Sequence, residues 1–335
     1  MGVTIKDVAN AAGVSVATVS YALNGTGPVR PETLRRVQAA ANELGYVPNG
    51  IAKALQAKGY GLVGYFAYTL TGPFFGQIMA GIEDTFVHCD EELIASSCAP
   101  DKKKTTRFLR ERILDGAIVF VEHLEDELIQ RIACADCPVV VMDRQMCGQY
   151  ISSVTVDNRN CAYEVGQYIH SLGFRSVGCV IGSGPDGIHR NEGFRAAVRD
   201  FGLELREECV LQGDFFYQTA YQRMLQFLES KPVLPEVFFA FNDEMAIGIM
   251  NALQEKGYRI PQDISVIGMD DISQAAYTSP KLTTYHLPIY ERGVQAAKLL
   301  RGMLEESKPG SVMVMPGYIV ERDSCKKRKS DEETP

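Results

Sequence analysis

Two different hydrophobic spacings divide the chain near residue 60. Before this point, apolar residues recur three and four positions apart, as expected for amphipathic helices. After it, short apolar runs alternate with longer amphipathic stretches, which is the pattern of parallel βαβ units. The chain is therefore predicted to have a small helical N-terminal region and a larger α/β region.

The N-terminal spacing predicts three helices. Thr4 can cap the first helix, and Gly13 can end it because glycine tolerates the left-handed backbone at a helix C-terminus. Ser15 can cap a second helix over residues 16–23, and a third helix over residues 31–44 would complete a small core. Two short helices joined by a glycine-containing turn are typical of the helix-turn-helix motif.

The second helix of such a motif enters the major groove, and its first residues meet the edges of the bases. Val16 and Ala17 point outward and can read only apolar features, such as the methyl group of thymine. Thr18 and Ser20 can bind phosphates, whereas Tyr21 can reach a base or a phosphate. This surface is therefore the candidate DNA-reading face.

The α/β region contains many short apolar runs. The predicted strands are Leu62–Ala67, Leu93–Ser97, Ala117–Val121, Val139–Asp143, Val154–Val156, Val177–Ile181, Val237–Ala240, Ser265–Met269 and Thr283–His286. The clearest helices between them are Phe75–Cys89, Asn160–Leu172, Arg190–Phe201, Gln218–Glu229 and Asp243–Lys256. The number of strands favours two sheets. Such sheets bind ligands at the carboxyl ends of their strands, where Asp143, Asp243 and Asp270 lie, although Asp243 is expected to cap a helix.

Charge is unevenly distributed along the chain. The net charge is −8, yet residues 1–60 carry +3, from six Lys/Arg and three Asp/Glu, which leaves −11 on the remainder. A basic N-terminal region on an acidic protein suits a polyanionic partner for that region alone. The C-terminal residues 324–335 mix basic and acidic side chains and are predicted to form a disordered tail.

The composition also limits the expected cellular location of the protein. No stretch approaches the ~20 apolar residues of a membrane span, and the N-terminus lacks the features of a signal peptide, so a cytoplasmic location without membrane association is expected. The nine cysteines are irregularly spaced and are interpreted as reduced thiols. Cys134 and Cys137 form a lone C-x-x-C, which we interpret as the approach to a strand. No metal, cofactor or catalytic residue is predicted.

Several long, ordered motifs resemble a known family. In the N-terminal region they are Thr4-Ile5-Lys6-Asp7-Val8-Ala9, Ala12-Gly13-Val14-Ser15-Val16-Ala17-Thr18-Val19-Ser20 and Leu44-Gly45-Tyr46-x-Pro48-Asn49. Beyond it they include Pro73-Phe74-Phe75, Asp143-Arg144, Arg190-x-x-Gly193-Phe194, Asn242-Asp243-Glu244-Met245-Ala246 and Gly268-Met269-Asp270-Asp271. With these motifs the whole chain except its tail resembles the lactose/galactose repressor (LacI/GalR) family of bacterial transcription regulators.

The resemblance implies a hinge helix over Asn49–Leu55, in which Leu55 enters the minor groove at the operator centre and bends the DNA. Lys53 and Tyr21 each stand where the family usually has Arg. Lys53 keeps the phosphate-pairing charge, whereas Tyr21 leaves the operator sequence at its position open. The residues assigned to DNA binding are Thr4, Ser15, Val16, Ala17, Thr18, Ser20, Tyr21, Asn24, Asn49, Ala52, Lys53 and Leu55.

The resemblance further implies a body of two Rossmann-like subdomains, as in periplasmic sugar-binding proteins, with crossings near Asp157, Ser279–Thr284 and Gly317. The implied limits are about 1–47 for the helix-turn-helix domain, 48–60 for the hinge and linker, 61–156 with 285–316 for subdomain one, and 157–284 with 317–323 for subdomain two. Together the two subdomains make up an effector-binding body over 61–323. An effector between them would meet an aromatic wall, a stacking ring, a bonding Arg and polar acceptors. The aromatic wall is formed by Phe74 and Phe75, and the stacking ring is Phe215. The bonding Arg is Arg190, and the polar acceptors are Asp143, Asn242 and Asp270.

The expected function is that of a homodimeric transcription regulator, a repressor by resemblance, whose operator affinity is controlled by a small molecule. A sugar or sugar derivative is the expected effector, with a nucleoside or purine as the second choice. One alternative is an NAD-dependent oxidoreductase, because Gly182-Ser183-Gly184-Pro185-Asp186-Gly187 matches G-x-G-x-x-G. Another is a solute-binding protein for transport. Neither alternative explains the helix-turn-helix.

Overall fold

The computed structural model describes residues 3–25, 27–47, 61–89, 91–98, 107–111 and 113–327. The chain divides into two compact units, Met1–Leu62 and Val63–Pro335. The first unit is helical and the second contains all the described β-strands. This division agrees with the change in hydrophobic spacing near residue 60.

The first unit contains three described helices, and their predicted bounds are confirmed to within one residue. They are α1 (Ile5–Ala12), α2 (Val16–Asn24) and α3 (Pro31–Leu44). The Asp7 carboxylate accepts hydrogen bonds from the backbone N–H and the hydroxyl of Thr4, at 2.8 and 2.7 Å. The Ser15 hydroxyl oxygen accepts the backbone N–H of Thr18 at 3.1 Å. These bonds fix the starts of the first two helices because they satisfy backbone donors that the helix leaves free.

The core of this unit is small and aliphatic. Val8, Val19 and Val37, one from each helix, are completely buried, and alanines fill the space around them. Arg30 precedes α3 without a side-chain cap, as expected from a residue that lacks a short side-chain acceptor.

The second unit contains two six-stranded sheets in its described part, which confirms the prediction of two sheets. The first sheet has the order β11-β5-β4-β3-β1-β2 and the second the order β12-β10-β9-β8-β6-β7. Their strands are β1 (Leu62–Ala67), β2 (Glu92–Ser97), β3 (Gly116–Phe120), β4 (Val139–Met142), β5 (Ile151–Thr155), β6 (Ser176–Ile181), β7 (Glu204–Gln212), β8 (Val237–Ala240), β9 (Ser265–Asp270), β10 (Thr283–His286), β11 (Val312–Val314) and β12 (Tyr318–Val320). Both sheets therefore share one doubly wound strand order, although β12 runs antiparallel to β10 whereas β11 runs parallel to β5.

Helices cover these sheets. They are α4 (Pro73–Phe86), α5 (Arg107–Arg110), α6 (Asp126–Ile132), α7 (Asn158–Ser171), α8 (Gly184–Asp200), α9 (Tyr217–Glu229), α10 (Asp243–Glu255) and α11 (Ile289–Glu305), with a short 3-10 turn at Ser273–Ala276. Helix α4 packs on α11 with unusually close backbones: a Cβ on Gly81 would lie 2.1 Å from the Tyr290 carbonyl oxygen. The first subdomain is thus completed by a helix from late in the chain.

Two predicted limits need correction. Strand β10 pairs in parallel with β9, so the chain leaves the second sheet after His286 and not near Ser279–Thr284. Ser324 is also buried, and its hydroxyl donates a hydrogen bond to the carbonyl oxygen of Val266 at 2.6 Å. The second subdomain therefore extends beyond residue 323, and the part of the predicted tail that lies outside the described residues is 328–335.

Three strands and one long helix were not predicted. Strand β7 carries four charged residues in its sequence ELREECVLQ, and edge strands of this kind lack the apolar run on which the prediction depends. Strands β11 and β12 have three residues each. Helix α11 was missed although it covers the first sheet, and it contributes Arg292, which is described below.

The Cys134–Cys137 segment is a tight turn, because the two residues exchange both backbone hydrogen bonds, at 3.2 and 3.1 Å. It leads directly into β4, which confirms its interpretation as the approach to a strand. None of the described helices is long and apolar enough to cross a membrane. Within the described ranges, no three His, Cys, Asp or Glu side chains are arranged to hold a metal ion.

Candidate functional site

Helix α2 presents a solvent-exposed face in the N-terminal unit. Val16 and Tyr21 are 41% and 48% exposed, and Ala17 is exposed beside them. The Tyr21 ring lies against Gly27, where a Cβ would approach the ring to 2.8 Å. The Thr18 hydroxyl is within 2.8 Å of the Ser15 hydroxyl at the start of the helix. The residues predicted to read bases thus share one exposed surface.

The other residues assigned to DNA binding are distributed as follows. Thr4 caps α1, Ser20 is half-buried on α2, and Asn24 is the last residue of α2. The hinge residues Asn49, Ala52, Lys53 and Leu55 lie outside the described residues. Their roles stay predictions.

In the second unit, the predicted effector residues gather at the carboxyl ends of the strands. Asp143 follows β4, Asp270 ends β9, and Asn242 lies just beyond β8. Phe74 and Phe75 open α4, after β1. This is the edge at which doubly wound sheets bind ligands, and here the edges of both subdomains meet in one cleft.

The first subdomain contributes a buried ion pair and an aromatic wall. The guanidinium of Arg292, at the start of α11, donates a hydrogen bond to the Asp143 carboxylate, and their side chains are only 1% and 5% exposed. The same guanidinium lies 5.8 Å from the ring centre of Phe74 and 5.9 Å from that of Phe120. Phe75 packs edge-on against Phe74 at 5.3 Å. The rings therefore hold the Arg292 charge in place through cation–π contacts.

The second subdomain contributes a looser pair. Arg190 donates from Nε to the Asn158 side-chain oxygen at 2.7 Å and from Nη1 to the backbone carbonyl of Phe241. Its Nη1 is 3.5 Å from the Asp270 carboxylate, and its guanidinium lies 5.6 Å from the Phe215 ring centre. Arg190 is therefore held mainly by neutral acceptors, and Asp270 keeps capacity for further hydrogen bonds.

Asn242, not Asp243, caps the helix that follows β8. Asn242 caps α10, since its side-chain oxygen accepts the Met245 backbone N–H at 2.9 Å, and its amide donates to the carbonyl oxygen of Phe215. Asp243 is completely buried and accepts hydrogen bonds from Thr284 and from a backbone N–H. Asp243 is thus not the helix cap, and the capping bond already uses the Asn242 oxygen proposed as a ligand acceptor.

Burial raises the pKa of several carboxyl groups in the cleft. The pKa of Asp270 is raised to about 7, first by burial and only partly offset by Arg190. Burial likewise raises the pKa of Asp186, Glu122 and Glu244. Removing a carboxylate from water disfavours its charged form, so these groups respond strongly to any positive charge or hydrogen-bond donor that enters the cleft.

Sequence reasoning missed four residues of this cleft. Asn158 connects Arg190 with Asp186, because it accepts a hydrogen bond from Arg190 and donates one to Asp186 at 2.8 Å. Arg292 was missed together with its helix, and Glu122 and Glu244 were not singled out. The signal for Asn158 was present, since it lies two residues after the predicted strand Val154–Val156.

The glycine-rich segment at 182–187 does not form a phosphate-binding loop. The Phe215 ring covers Gly182 so closely that a Cβ there would lie 2.1 Å from the ring. Gly187 packs on the Gly182 backbone, where a Cβ would lie 2.3 Å from its carbonyl oxygen. The glycines thus serve close packing within the chain, and a dinucleotide phosphate could not approach this backbone.

Comparison with known proteins agrees with this architecture. Residues 4–49 match the model of bacterial regulatory proteins of the lacI family, and residues 167–325 match a periplasmic binding protein-like domain. The transcriptional repressor PurR of Serratia proteamaculans is 33% identical over 330 residues, which cover 96% of this chain and 96% of that protein. This protein belongs to the lacI family of bacterial regulatory proteins.

Solved structures show the same fold with ligands bound. The complex of the transcriptional regulator CelR with cellobiose has a TM-score of 0.70 at 26% identity and covers 96% of this chain and all of that one. A lacI-family regulator from Enterococcus faecium with bound ribose has a TM-score of 0.72 at 28% identity, covering 80% of this chain and all of that one. Both are sugar complexes.

Proposed function

We propose that this protein binds operator DNA through its helix-turn-helix unit and regulates transcription in response to a small molecule held in the cleft of its α/β body. The observation that carries this proposal is the presence, in one chain, of an exposed α2 reading face and a buried Arg–Asp–aromatic cleft. The relatives are transcription regulators, so we further propose that the protein is not an enzyme.

The exposed α2 face supports the DNA-binding part of the proposal. A short helix with small apolar residues at its start can approach base edges closely, and thymine methyl groups suit Val16 and Ala17. The hydroxyls of Thr18 and Ser20 fit phosphate contacts. We assign the hinge contacts to Asn49, Ala52, Lys53 and Leu55 from the family pattern alone, together with the domain limits at 47 and 60.

The chemistry of the cleft supports a polyhydroxylated effector. Each buried hydroxyl needs a hydrogen-bond partner, and the carboxylates of Asp143 and Asp270 with the guanidinium of Arg190 provide both acceptors and donors. The rings of Phe74 and Phe215 suit the apolar faces of a sugar. The related complexes with cellobiose and ribose support the same class of ligand.

Coupling between the DNA-binding face and the effector cleft requires that the two subdomains of the α/β body can adopt two relative arrangements. We propose that the effector favours one relative pose of the two subdomains and thereby shifts the hinge between its ordered and disordered states. We further propose that the protein is a homodimer that binds a two-fold symmetric operator and represses transcription when it is bound to DNA. A coupling of about 1–3 kcal/mol is typical of such systems. We place the regulator in the cytoplasm, because that is where it would meet both DNA and metabolites.

Two variants of the full chain test this division of labour. Operator sequences are first selected from a random duplex pool, and binding to the selected duplex is then measured by fluorescence anisotropy over a range of salt concentrations. Leu55→Ala should weaken duplex binding and leave sugar-induced thermal shifts unchanged, whereas Asp270→Asn should do the opposite. An absence of salt-sensitive binding to any duplex would overturn the proposed function, and equal loss of both activities in either variant would refute the assignment of sites.

A further inference from the structure

The cleft contains more negative than positive groups. Five carboxyl groups act on one another there: Glu122, Asp143, Asp186, Glu244 and Asp270. The buried positive groups are the guanidiniums of Arg190 and Arg292, which are 4% and 1% exposed. Arg144 also acts on Glu122, so the cleft, fully ionised, would hold two more negative than positive charges.

Among the described residues no arginine is hydrogen-bonded to Glu122, Asp186 or Glu244, although Arg190 and Arg292 act on Asp186 and Arg144 acts on Glu122 from a distance. Arg292 is bonded to Asp143, and Arg190 is bonded to Asn158 and a backbone carbonyl with Asp270 nearby. Arg144, the next basic residue, donates to Asp126 at 2.8 Å and to the Leu124 carbonyl oxygen at 2.6 Å.

The surplus carboxyl groups lie on both sides of the cleft. Glu122 belongs to the first subdomain, whereas Asp186 and Glu244 belong to the second. A Cβ on Gly184, two residues before Asp186, would lie 2.6 Å from the Glu122 carboxylate oxygen Oε2. A positive group in the cleft could therefore contact acceptors from both subdomains.

Two buried donor groups in the same cleft also point to a ligand. The Tyr65 hydroxyl and the Nε of Arg292 are shielded from solvent, in residues that are 0% and 1% exposed, and neither atom has a hydrogen-bond partner in the described part of the chain. Tyr65 interacts electrostatically with both Arg292 and Asp143. Buried donors without partners are costly, and a hydroxyl oxygen is the neutral acceptor that suits both.

We propose that the effector is a polyhydroxylated compound that carries a positively charged amine, as an amino sugar does. This inference rests on the proposed function and specifies the ligand of the same cleft. The amine contacts Glu122 and Asp186 from opposite subdomains, and a hydroxyl oxygen accepts from the Arg292 Nε. An ammonium between the two carboxylates also removes their mutual repulsion and so favours the closed arrangement.

The test uses matched series of compounds on the full chain. Glucosamine, galactosamine and mannosamine are each compared with the parent sugar, which has a hydroxyl in place of the amine, and with the N-acetyl derivative, whose nitrogen is uncharged. Affinities are measured by isothermal titration calorimetry. We expect at least one amine to bind about tenfold or more tightly than both of its neutral counterparts, because the charge pair forms in a site shielded from water.

Two isosteric variants and a control locate the effect. Glu122→Gln and Asp186→Asn should each lower the preference for the amine by about tenfold, whereas Glu127→Gln, which changes an exposed carboxylate on α6, should leave it unchanged. The inference is overturned if a neutral sugar binds as tightly as its amine, or if no amine binds. If a neutral sugar binds and also changes operator affinity, the proposed function still stands. Loss of operator binding under all conditions would overturn the proposed function instead.

Discussion

The cleft contains two Arg–Asp pairs that consist of the same two residue types but differ in geometry. Arg292 and Asp143 in the first subdomain are joined by a direct hydrogen bond and enclosed by aromatic rings. Arg190 and Asp270 in the second are also buried, but their closest atoms are 3.5 Å apart, and the shorter hydrogen bonds of Arg190 go to Asn158 and to the Phe241 carbonyl oxygen. The first pair is closed apart from the Arg292 Nε, which has no partner among the described residues, and the second pair is open to a further partner.

Backbone conformation sharpens this difference. Asp143 has φ of 59°, a left-handed conformation that Asp tolerates, whereas Asp270 has φ of 115°, which few side chains adopt. Strained backbone is concentrated at binding sites, where the surrounding structure holds it. We infer that the first pair positions the wall of the cleft and that the second pair provides the adjustable acceptor.

The largest expected effect comes from breaking the closed pair. Arg292→Leu should lower the free energy of unfolding of the body by about 3–5 kcal/mol, because Asp143 would remain as an uncompensated buried charge. Urea denaturation followed by circular dichroism measures this. Combining it with Asp143→Asn should restore much of the loss, since Asn carries no charge and tolerates the left-handed backbone at this position. A loss below about 1 kcal/mol for the single change would mean that water reaches the pair.

Changing the open pair should affect ligand binding more than stability. Asp270→Asn keeps the shape of the side chain and removes a group that burial already disfavours, so the free energy of unfolding at pH 8 should not fall. Ligand affinity, measured by calorimetry with the amino sugar or sugar that binds the native protein, should fall about 10- to 100-fold, as expected for a hydrogen bond to a charged group. Unchanged affinity would show that Asp270 does not contact the ligand.

The raised pKa of Asp270 predicts a specific pH dependence. Burial raises that pKa from 3.8 to about 7, so the folded protein keeps a proton that the unfolded chain releases. This contribution to stability is fully present below about pH 4 and is lost as the pH rises to about 7, at about 1.4 kcal/mol per pKa unit. The free energy of unfolding should therefore decline over this range, and Asp270→Asn should make the decline shallower. An identical slope in the variant would contradict the burial argument.

The smallest effect is expected at Tyr65. Its hydroxyl has no hydrogen-bond partner among the described residues, so Tyr65→Phe removes an unsatisfied buried donor and should leave the free energy of unfolding unchanged or raise it by about 1 kcal/mol. Thr284→Val is a matched comparison, because it removes a donor to the buried Asp243 carboxylate and should cost about 1–3 kcal/mol. Both are measured by denaturation without ligand. Equal losses would show that the Tyr65 hydroxyl has a partner in solution, such as a bound water.

Local rules were enough to predict much of this protein. The three N-terminal helices depend on caps and glycines within a few residues, such as Ser15 and Gly45, and the central strands depend on apolar runs such as Val139–Met142. These interactions are short in sequence, so their pattern is visible in it. The family motifs likewise contained Arg190 and Asp270, which the structure brings within 3.5 Å of each other.

Tertiary structure alone decided which charges meet. Arg292 is 149 residues from Asp143 in sequence and contacts it only because α11 returns to the first sheet after five strands of the second have formed. The buried Asp243 carboxylate also depends on Thr284, which donates to it from a strand far along the chain. A sequence pattern records the periodicity of each element, but the partner of a buried charge is fixed by how distant elements pack, because only that packing removes the charge from water.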